Sequence, residues 1–495
     1  MSMKELIQER LKSGDFLDQK HVHPRLMKML QMGGMNTPFV RAEGHYLFDT
    51  QGKRYLDLLS GGGVYFFGRN HPKVNAAIRD VVEMDVPNLC VVNASILGGL
   101  LAERILKLAG KGFSKVQYAN SGAEANEVAI RFSRFVTRRR RYLHLEGAFH
   151  GRSYGAISLC GFNQMKEGME PRMPICTSIR PNDLAALRRE LSKGDVAALF
   201  MEACQGMTLD VLDHDYLREA RKLCDEFGTL LVLDEVQTGF GRLGEKWFAF
   251  QAAGILPDMV TLSKVLSGGQ MPVAAVLVGE HVYDQVFKSF QSGPIYFSTF
   301  GENNLAMAAG LATLDVLEEM DAPAAAARVS QKIRAGLNDL ATRYDVIDRV
   351  AGKGMMIGTY FKNTDSSALL KAQQALMGAF DKASFGAAMN VRLFTEHQVI
   401  VQVPGPGLNA IKILPPITLT DEDIQYFLDS YEGAIQSMYG ASTGPALALG
   451  KTAVTDAVKS AAKKVKAVAG VEKGAGPVPE PKKAAAAGGS AGKKS

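Results

Sequence analysis

The sequence contains the stretch Leu230-Leu-Val-Leu-Asp234-Glu235-Val236-Gln237. Its four large apolar residues are followed directly by two carboxylates. A short apolar run of this kind predicts a strand that is buried on both faces of a sheet. Shorter runs end at Ala119, Leu145 and Met201, and helical patterns lie between them. Buried strands that alternate with helices predict an α/β fold with a mainly parallel sheet. Open sheets of this type bind ligands at the carboxyl ends of their strands.

The composition is that of a folded globular protein. Of the 495 residues, 46% are hydrophobic and 22% are charged, which excludes wholesale disorder. The sequence has no run of 18 or more apolar residues, so we expect no membrane-spanning helix. The N-terminus lacks the apolar core of a signal peptide, and the five cysteines lack CxxC spacing. We therefore expect a cytoplasmic protein with reduced thiols.

The segment from Ala441 to Ser495 differs in composition from the rest of the chain. It contains ten Lys and three acidic residues, so it carries +7, and the remaining residues carry −1 of the total charge of +6. An Ala-, Lys- and Pro-rich segment buries too little apolar surface to fold alone, which predicts a disordered tail over 441–495. Two interpretations stay open, a solvated appendage or a segment that contacts an acidic partner.

Two of the predicted strand ends carry residues suited to a charged ligand. Ser121-Gly122-Ala123 stands between a predicted strand and a predicted helix. The N–H groups of such a helix start can bind phosphate, although the same residues can be an ordinary cap. Asp234 could hold a protonated ring nitrogen, because a buried carboxylate needs a partner. The pair of Asp234 and Glu235 could instead bind Mg²⁺, whereas the histidines show no zinc-binding spacing.

Two further segments suggest a flat cofactor with a carbonyl group. Lys264 lies between an apolar strand and Gly268-Gly269, 30 residues after Asp234. A desolvated lysine has a lowered pKa and can act as a Schiff-base nucleophile and proton carrier, although a structural lysine is the alternative. In Gly147-Ala-Phe149-His150-Gly151, the aromatic side chain could stack on a ring or simply fill the core.

In this order and at these spacings, with Thr299-Phe-Gly301 and Pro415-Pro416 beyond, the segments resemble the class III (ω-type) pyridoxal-phosphate aminotransferases of fold type I. The resemblance covers roughly residues 35–438. It implies a large cofactor-binding domain over 76–320 with a mainly parallel seven-stranded sheet. It also implies a smaller α+β domain formed by 1–75 and 321–440, and a homodimer whose active site lies at the interface.

The resemblance also implies a role for each matching residue. Lys264 would form the Schiff base with pyridoxal 5'-phosphate and move the substrate proton, and Asp234 would pair with the pyridine nitrogen. The remaining contacts would come from Ser121, Gly122, Ala123 and the other subunit's Thr299 at the phosphate, Phe149 and Val236 at the ring faces, Gln237 at the ring hydroxyl, Glu202 near the cofactor aspartate, and His150, which is assigned to the cofactor without a particular atom.

Two positions depart from the pattern of many relatives. Lys412 stands where relatives that bind an α-carboxylate have Arg, and Met207 stands where they have Glu. Lysine cannot form the bidentate fork of arginine, and methionine provides an adaptable apolar wall. Aromatic residues add to the loop that lines the substrate entrance in the family, namely Tyr65, Phe66 and Phe67. We therefore expect an ω-amine, a diamine or a long-chain, apolar amine, with a keto acid, aldehyde or ketone as acceptor.

Three alternatives to this prediction stay open. Arg392 or Arg41 could supply the carboxylate contact, because arginine can act from another place in the fold. The segment from Gly33 to Gly44 also resembles glutamate-1-semialdehyde aminomutases, which would move nitrogen within one molecule, although Ile413-Leu-Pro-Pro416 fits the aminotransferases better. A catalytically silent scaffold is disfavoured, since both Asp234 and Lys264 are present.

Overall fold

The computed structural model describes residues 1–13, 18–88, 94–172, 175–289, 296–362 and 384–440. All of them belong to one compact unit, Met1–Ser442. The predicted tail over 441–495 lies outside the described residues. Within the described part of the chain, no helix is both long enough and apolar enough to cross a membrane.

The strands of the described residues are labelled in chain order. They are β1 (Phe39–Glu43), β2 (Tyr46–Asp49), β3 (Arg54–Asp57), β4 (Phe113–Ala119), β5 (Arg141–Leu145), β6 (Ile175–Ile179), β7 (Val196–Met201), β8 (Leu230–Asp234), β9 (Met259–Leu262), β10 (Ala274–Gly279), β11 (Ile347–Lys353), β12 (Met356–Phe361), β13 (Val399–Ile400) and β14 (Ala410–Ile413).

The helices are named by their ranges. The α-helices are Met3–Ser13, Asp18–His21, Pro24–Met32, Pro72–Glu83, Gly98–Ala109, Gly122–Thr137, Tyr154–Ser158, Leu184–Leu191, His214–Glu226, Ala249–Ala253, Glu280–Val286, Asn304–Glu319, Ala322–Arg343, Ser384–Thr395 and Asp421–Gly440. Short helical turns are formed by Ser60–Gly63, Asn163–Lys166 and Lys264–Ser267.

The central sheet has seven strands in the order β4-β10-β9-β8-β7-β5-β6. The pairs from β9 to β6 are all parallel, whereas β10 runs antiparallel to both of its neighbours. Every residue of β7 and β8 is buried, as the apolar runs in the sequence predicted. The predicted α/β fold with a mainly parallel seven-stranded sheet is therefore confirmed.

The helix Gly122–Thr137 covers the middle of this sheet. Its buried face, which includes Val128 and Phe132, packs into the same core as Phe200 of β7 and Val232 of β8. Burying one such side chain contributes about 1.5–3 kcal/mol relative to leaving it in water. The helix begins directly after β4, and this connection places its N-terminus at the edge where Asp234 ends β8.

Two smaller sheets accompany the central sheet, and the first of them combines segments from both ends of the described chain. In the first, β13 pairs in parallel with β3, in the order β1-β2-β3-β13. In the second, the antiparallel order is β11-β12-β14, and Lys412 of β14 lies opposite Gly358 of β12. The terminal segments thus share the first of these sheets, while the domain boundaries at 75, 320 and 440 stay predictions.

Candidate active site

Asp234 lies at the carboxyl end of β8 and is buried. Its Oδ1 accepts a hydrogen bond from the Val236 N–H at 3.0 Å. Its Oδ2 accepts one from Asn126 Nδ2 at 2.8 Å and lies 2.8 Å from His150 Nδ1. Several elements therefore hold this carboxylate in one orientation at the end of the strand.

Asn126 is the link between Asp234 and the neighbouring segments. Besides its bond to Asp234, its Nδ2 donates to the His150 carbonyl at 2.7 Å, and its Oδ1 accepts from Thr261 Oγ1 at 3.1 Å. Sequence reasoning assigned Asn126 no role. The available signal was a polar residue on a helix face where Ala125, Val128 and Ala129 are apolar, because a buried polar side chain there must be hydrogen-bonded.

The pair of Asp234 and His150 sets the charge of the site. Burial alone would raise the pKa of Asp234, but the hydrogen bond and charge of His150 hold that pKa below its ordinary value. Burial alone would lower the pKa of His150, but Asp234 raises it above 6.5. We infer an imidazole whose Nδ1–H donates to an ionised carboxylate, an arrangement that keeps the Asp234 charge available to a ligand.

Lys264 begins the short turn that follows β9. Its backbone φ of +46° is in the left-handed region, which is uncommon for a residue with a side chain. The residue is partly exposed, but its amine lies inside the protein, where burial lowers its pKa to about 8. The charge of Asp234 opposes this shift and the charge of Arg242 adds to it. A large fraction of the amine is therefore neutral, and nucleophilic, in mildly alkaline solution.

The helix that starts after Ser121 has a side-chain cap, and its first residues are still partly exposed to solvent. Ser121 Oγ accepts from the Glu124 N–H at 3.2 Å, so the ordinary cap that the sequence allowed is present. Gly122 lies against Val236, because a Cβ on Gly122 would come within 2.9 Å of the two valine methyl groups. Ser121, Gly122 and Ala123 remain partly exposed at the positive end of the helix, which suits an anion such as phosphate.

Glu202 fixes the segment that carries Phe149. Its Oε1 accepts from the Phe149 N–H at 2.9 Å, and its Oε2 accepts from the Gly206 N–H at 2.7 Å. Burial raises the pKa of Glu202. Phe149 is partly exposed and the guanidinium of Arg152 lies 6.0 Å from its ring centre, whereas His150 is buried. The aromatic ring is thus held beside the Asp234 network with part of its surface accessible.

Gln237 connects the end of β8 to two other parts of the chain. Its Nε2 donates to the Gly62 carbonyl at 3.3 Å, and its Oε1 accepts from Lys412 Nζ at 2.9 Å. Lys412 Nζ also donates to the Gly206 carbonyl. Both side chains are buried. Burial and the charge of Lys264 lower the pKa of Lys412 to about 7.

Arg242 is a buried cation that the sequence analysis did not identify. Its side chain is fully buried, its Nη2 donates to the Gly63 carbonyl, and its guanidinium lies 4.3 Å from the centre of the Phe66 ring. Within the described part of the chain, Nε and Nη1 have no hydrogen-bond partner. Burial lowers the pKa of Arg242 to about 9. Nothing in its local sequence distinguishes this arginine from a surface residue.

The carboxylate that ends β8, Asp234, and the one that follows it, Glu235, bind different parts of the protein. Glu235 Oε1 and Oε2 accept from the N–H groups of Phe250 and Ala249, at 3.0 and 2.9 Å, at the start of the helix Ala249–Ala253. Burial raises the pKa of Glu235 to about 7. The pair does not converge on a shared cation site, and the described residues contain no metal-binding group of three or more His, Cys, Asp or Glu.

Two predicted features lie apart from this network. Thr299 is exposed on a turn, although the adjacent Ser298 accepts a hydrogen bond from Asn120 at 2.8 Å. The expectation that three aromatic residues line an entrance is wrong for two of them, because Phe66 and Phe67 are buried in the core. Tyr65 is partly exposed, and its hydroxyl donates to the Gly269 carbonyl at 3.3 Å.

The described groups fit a planar, phosphate-bearing cofactor with a basic ring nitrogen. Asp234 Oδ1 accepts one recorded hydrogen bond, and a carboxylate oxygen can accept a second from a ring N–H. Gly122 has no side chain, so Val236 can lie directly against the helix start; a Cβ at this position would collide with Val236. The Lys264 amine, with its pKa near 8, can attack an aldehyde on such a ring. The carboxylate for the ring nitrogen, the helix start for the phosphate and the amine for the aldehyde thus lie at the same edge of the sheet.

Comparison with known sequences gives a consistent result. The family profile described as aminotransferase class-III matches residues 30–435. An acetylornithine aminotransferase from Bacillus cereus is 32% identical over 399 residues, which cover 79% of this chain and 93% of that protein. The aminotransferase PigE from Serratia sp. is 28% identical over 450 residues, which cover 84% of this chain and 53% of PigE. The chain thus spans about half the length of PigE.

Solved structures show the same likeness in three dimensions. An amine transaminase from an uncultivated Pseudomonas species, in its PLP-bound form, has a TM-score of 0.71 and 27% identity, with 82% of this chain and 95% of that chain covered. An N-acetylornithine aminotransferase from Stenotrophomonas maltophilia has a TM-score of 0.64 and 27% identity, with coverages of 85% and 99%.

Proposed function

Because the chain belongs to the class III aminotransferase family, we propose that it transfers an amino group from an apolar ω-amine, diamine or long-chain amine to a keto acid, aldehyde or ketone. Transamination itself follows from the family, and the class of amine is the proposal. The observation that carries it is the pair of Met207 and Lys412, which replaces a polar substrate contact with an apolar wall and an internally bonded amine.

Pyridoxal phosphate is the cofactor of this family, and it supplies the electron sink for chemistry at the substrate carbon. We assign the residues of this chain to it as follows. Lys264 would hold the cofactor through its amine and would carry the substrate proton. Asp234 would keep the ring nitrogen protonated, and the helix start at Ser121–Ala123 would bind the phosphate. Phe149 and Val236 would enclose the ring and exclude water from its faces.

The remaining residues of the site act by orienting these groups. His150 and Asn126 hold the Asp234 carboxylate in its observed rotamer. Glu202 holds the segment of Phe149 by its backbone N–H. Gln237, beside the Asp234 strand end, would donate to the ring hydroxyl oxygen. Precise placement of this kind accounts for much of the rate in enzymes whose cofactor performs the chemistry.

Met207 supports the proposed apolar substrate. A Cβ built on Gly405 would lie 3.2 Å from the Met207 methyl group, 3.1 Å from Leu408 and 3.4 Å from the Phe162 ring. These four residues therefore pack together next to Gly206, which is bonded to both Glu202 and Lys412. Met207 itself is partly exposed. A wall of methionine, leucine and phenylalanine favours an apolar chain over a second carboxylate.

The arginines considered for a substrate carboxylate have other partners. Arg392 pairs with Glu396 at 2.7 Å and contacts the sulfur of Met438. Arg41 pairs with Glu43 and lies 3.6 Å from the Phe48 ring centre. These contacts make Arg392 and Arg41 poor candidates for binding a substrate α-carboxylate. An aminomutase stays the second candidate on the resemblance of the segment from 33 to 44.

The test is a half-reaction followed by absorbance. Purified enzyme in its cofactor-loaded form is mixed with a long-chain amine, a diamine, or small dicarboxylic and basic amino acids. We expect the visible band to bleach fastest with the long-chain amine or diamine, and a keto acid to restore it. Equal rates with the small amino acids would refute the apolar pocket. Bleaching without release of a keto or aldehyde product would favour the aminomutase.

A matched pair of variants tests whether the preference for an apolar amine depends on Met207. Met207→Glu places a carboxylate in the wall and should lower kcat/KM for the long-chain amine by at least about tenfold, because a charge beside an apolar chain is costly. Met84→Glu makes the same change at a methionine that is 71% exposed, and should leave kcat/KM unchanged. If both variants behave alike, Met207 does not contact the substrate.

We also propose that two copies of the chain form the active dimer. The turn that carries Thr299 is flanked by Phe297 and Phe300, which are 55% and 58% exposed. Large exposed aromatic side chains beside a predicted phosphate ligand suggest a surface that a second copy covers. Phe300→Ser should therefore weaken the dimer in light scattering and also weaken cofactor retention. A dimer of unchanged strength would place the interface elsewhere.

A cytoplasmic location is part of the proposal. Three cysteines of the described chain, Cys160, Cys204 and Cys224, are buried free thiols. Proteins of the reducing cytoplasm retain such thiols. Mass spectrometry of the natively expressed protein after alkylation checks this, and a disulfide between any of these cysteines would contradict it.

A further inference from the structure

We propose that Lys412 is a positioning residue that fixes the orientation of the Gln237 side-chain amide, so that the amide presents an N–H, and not its oxygen, to the cofactor's ring oxygen. This inference rests on the proposed function, because it takes Gln237 to lie beside the ring hydroxyl. It assigns Lys412 a task within the protein that differs from binding a substrate carboxylate.

The first step is the chemistry of the two partners of Gln237. Its Oε1 faces Lys412 Nζ at 2.9 Å, and its Nε2 faces the Gly62 carbonyl at 3.3 Å. The lysine amine presents N–H groups and the carbonyl presents only an acceptor. Rotating the amide by 180° would place N–H against N–H and oxygen against oxygen. Two independent contacts therefore select the same orientation.

The second step is the fixed position of Lys412 itself. Its Nζ donates to the Gly206 carbonyl as well as to Gln237, and the side chain is buried. Lys412 lies on β14, which is paired to β12 and bridged to Gln402. A Cβ on Gly206 would lie 3.1 Å from Gln237 Oε1. The close approach of these three residues thus depends on a glycine at 206.

The third step is that the amide has one N–H left. A side-chain amide has two N–H groups, and the Gly62 carbonyl accepts one of them. The second can donate to a ring oxygen, whose negative form it stabilises. The pKa of Lys412 is near 7, so the amine is partly neutral, but a neutral amine still has the two N–H groups that its two contacts need.

The test is a pH titration of the cofactor's visible band in the loaded enzyme without substrate. A donor to the ring oxygen favours the deprotonated Schiff base, so the loss of this donor should raise the titration midpoint. We expect Gln237→Leu and Lys412→Met each to raise the midpoint by about one pH unit. The other charged groups at the site, which all variants retain, are Asp234, His150, Glu202, Arg242 and the Lys264 nitrogen.

A double variant separates positioning from direct charge. If Lys412 acts through Gln237, then Lys412→Met in the Gln237→Leu background should shift the midpoint by less than half of its shift in the wild-type background. A shift of half or more would show that the lysine charge acts directly on the cofactor, and would overturn the proposal. Lys412→Arg, which keeps a donor at the same place, should retain the wild-type midpoint.

The readouts also distinguish this inference from the proposed function. If the wild-type protein develops no visible band with pyridoxal phosphate, the assignment of the site is wrong. If the band forms but neither single variant moves the midpoint, only the inference about Lys412 is wrong. Should Lys412→Met fail to fold, Gln237→Glu remains informative. It keeps an acceptor for Lys412 but removes the N–H, so it should raise the midpoint, and an unchanged midpoint would overturn the proposal.

Discussion

The lowered pKa of Lys264 makes a quantitative prediction about how the apoenzyme takes up its cofactor. Only the neutral amine attacks an aldehyde. With a pKa near 8, about 10% of the amine is neutral at pH 7 and about 1% at pH 6. A lysine with an ordinary pKa of about 10.4 would be only about 0.04% neutral at pH 7. Burial of Lys264 therefore raises the reactive fraction at pH 7 by a factor of about 250.

The assay is stopped-flow absorbance of apoenzyme mixed with pyridoxal phosphate between about pH 6 and pH 10. We expect the rate of band formation to rise about tenfold per pH unit up to about pH 8 and then to level off. The same cofactor with a free alkylamine, measured at each pH, corrects for titration of the cofactor itself. A corrected rate that still rises tenfold per unit from pH 8 to pH 10 would refute the argument that burial depresses this pKa.

A nearly isosteric variant tests the electrostatic part of the same argument. The charge of Asp234 raises the pKa of Lys264 against the effect of burial. Asp234→Asn removes that charge, so the midpoint of the loading rate should move to lower pH, even though the loaded cofactor is held less tightly. A midpoint that moves upward would mean that the carboxylate does not act on Lys264 as the geometry indicates.

Three further predictions concern the support of the site. Asn126→Ala removes a donor to a buried carboxylate and should weaken cofactor binding about 10- to 100-fold, as measured by retention on dialysis, whereas Ser133→Ala on the same helix should not. Gly122→Ala should slow cofactor loading, because its Cβ would come within 2.9 Å of valine methyl groups, and Gly99→Ala, which meets no atom within 4 Å, is its control. Glu235→Gln should flatten the dependence of thermal stability on pH. The folded pKa of Glu235 is raised to about 7, so its contribution is complete below about pH 4.5 and is lost as the pH rises through 7; an unchanged profile would contradict this.

The central sheet could be predicted from the sequence because its strands are buried on both faces. Apolar runs that end at Ala119, Leu145 and Met201 appear in the structure with the same carboxyl ends, and β8 extends one residue beyond its run to include Asp234. The reversed direction of β10 was not predicted. A fully buried strand has the same apolar pattern whichever way it runs.

The family resemblance grouped residues from several strand ends in one site, but individual contacts between distant segments were not predicted. Asp234 and Gln237 are three positions apart in one segment, and the family resemblance assigned a role to each. Lys412 lies 175 positions after Gln237, and only the pairing of β14 brings the two into contact. The sequence did indicate that Glu235 binds a different part of the protein from Asp234. Successive side chains of an extended chain point to opposite faces, so the two carboxylates could not both face the ligand.

The contact between Lys412 and Gln237 also bears on when the enzyme can first become functional in the cell. Lys264 is synthesised 148 residues before Lys412. At about 5–20 residues per second, a ribosome takes roughly 7–30 seconds to cover that distance. A nascent chain therefore contains Lys264 well before the residue that orients Gln237 exists, and before the fold that buries the Lys264 amine is complete. An aldehyde that binds in that interval enters a pocket that lacks Lys412. We therefore expect productive uptake of the cofactor only after the chain is complete.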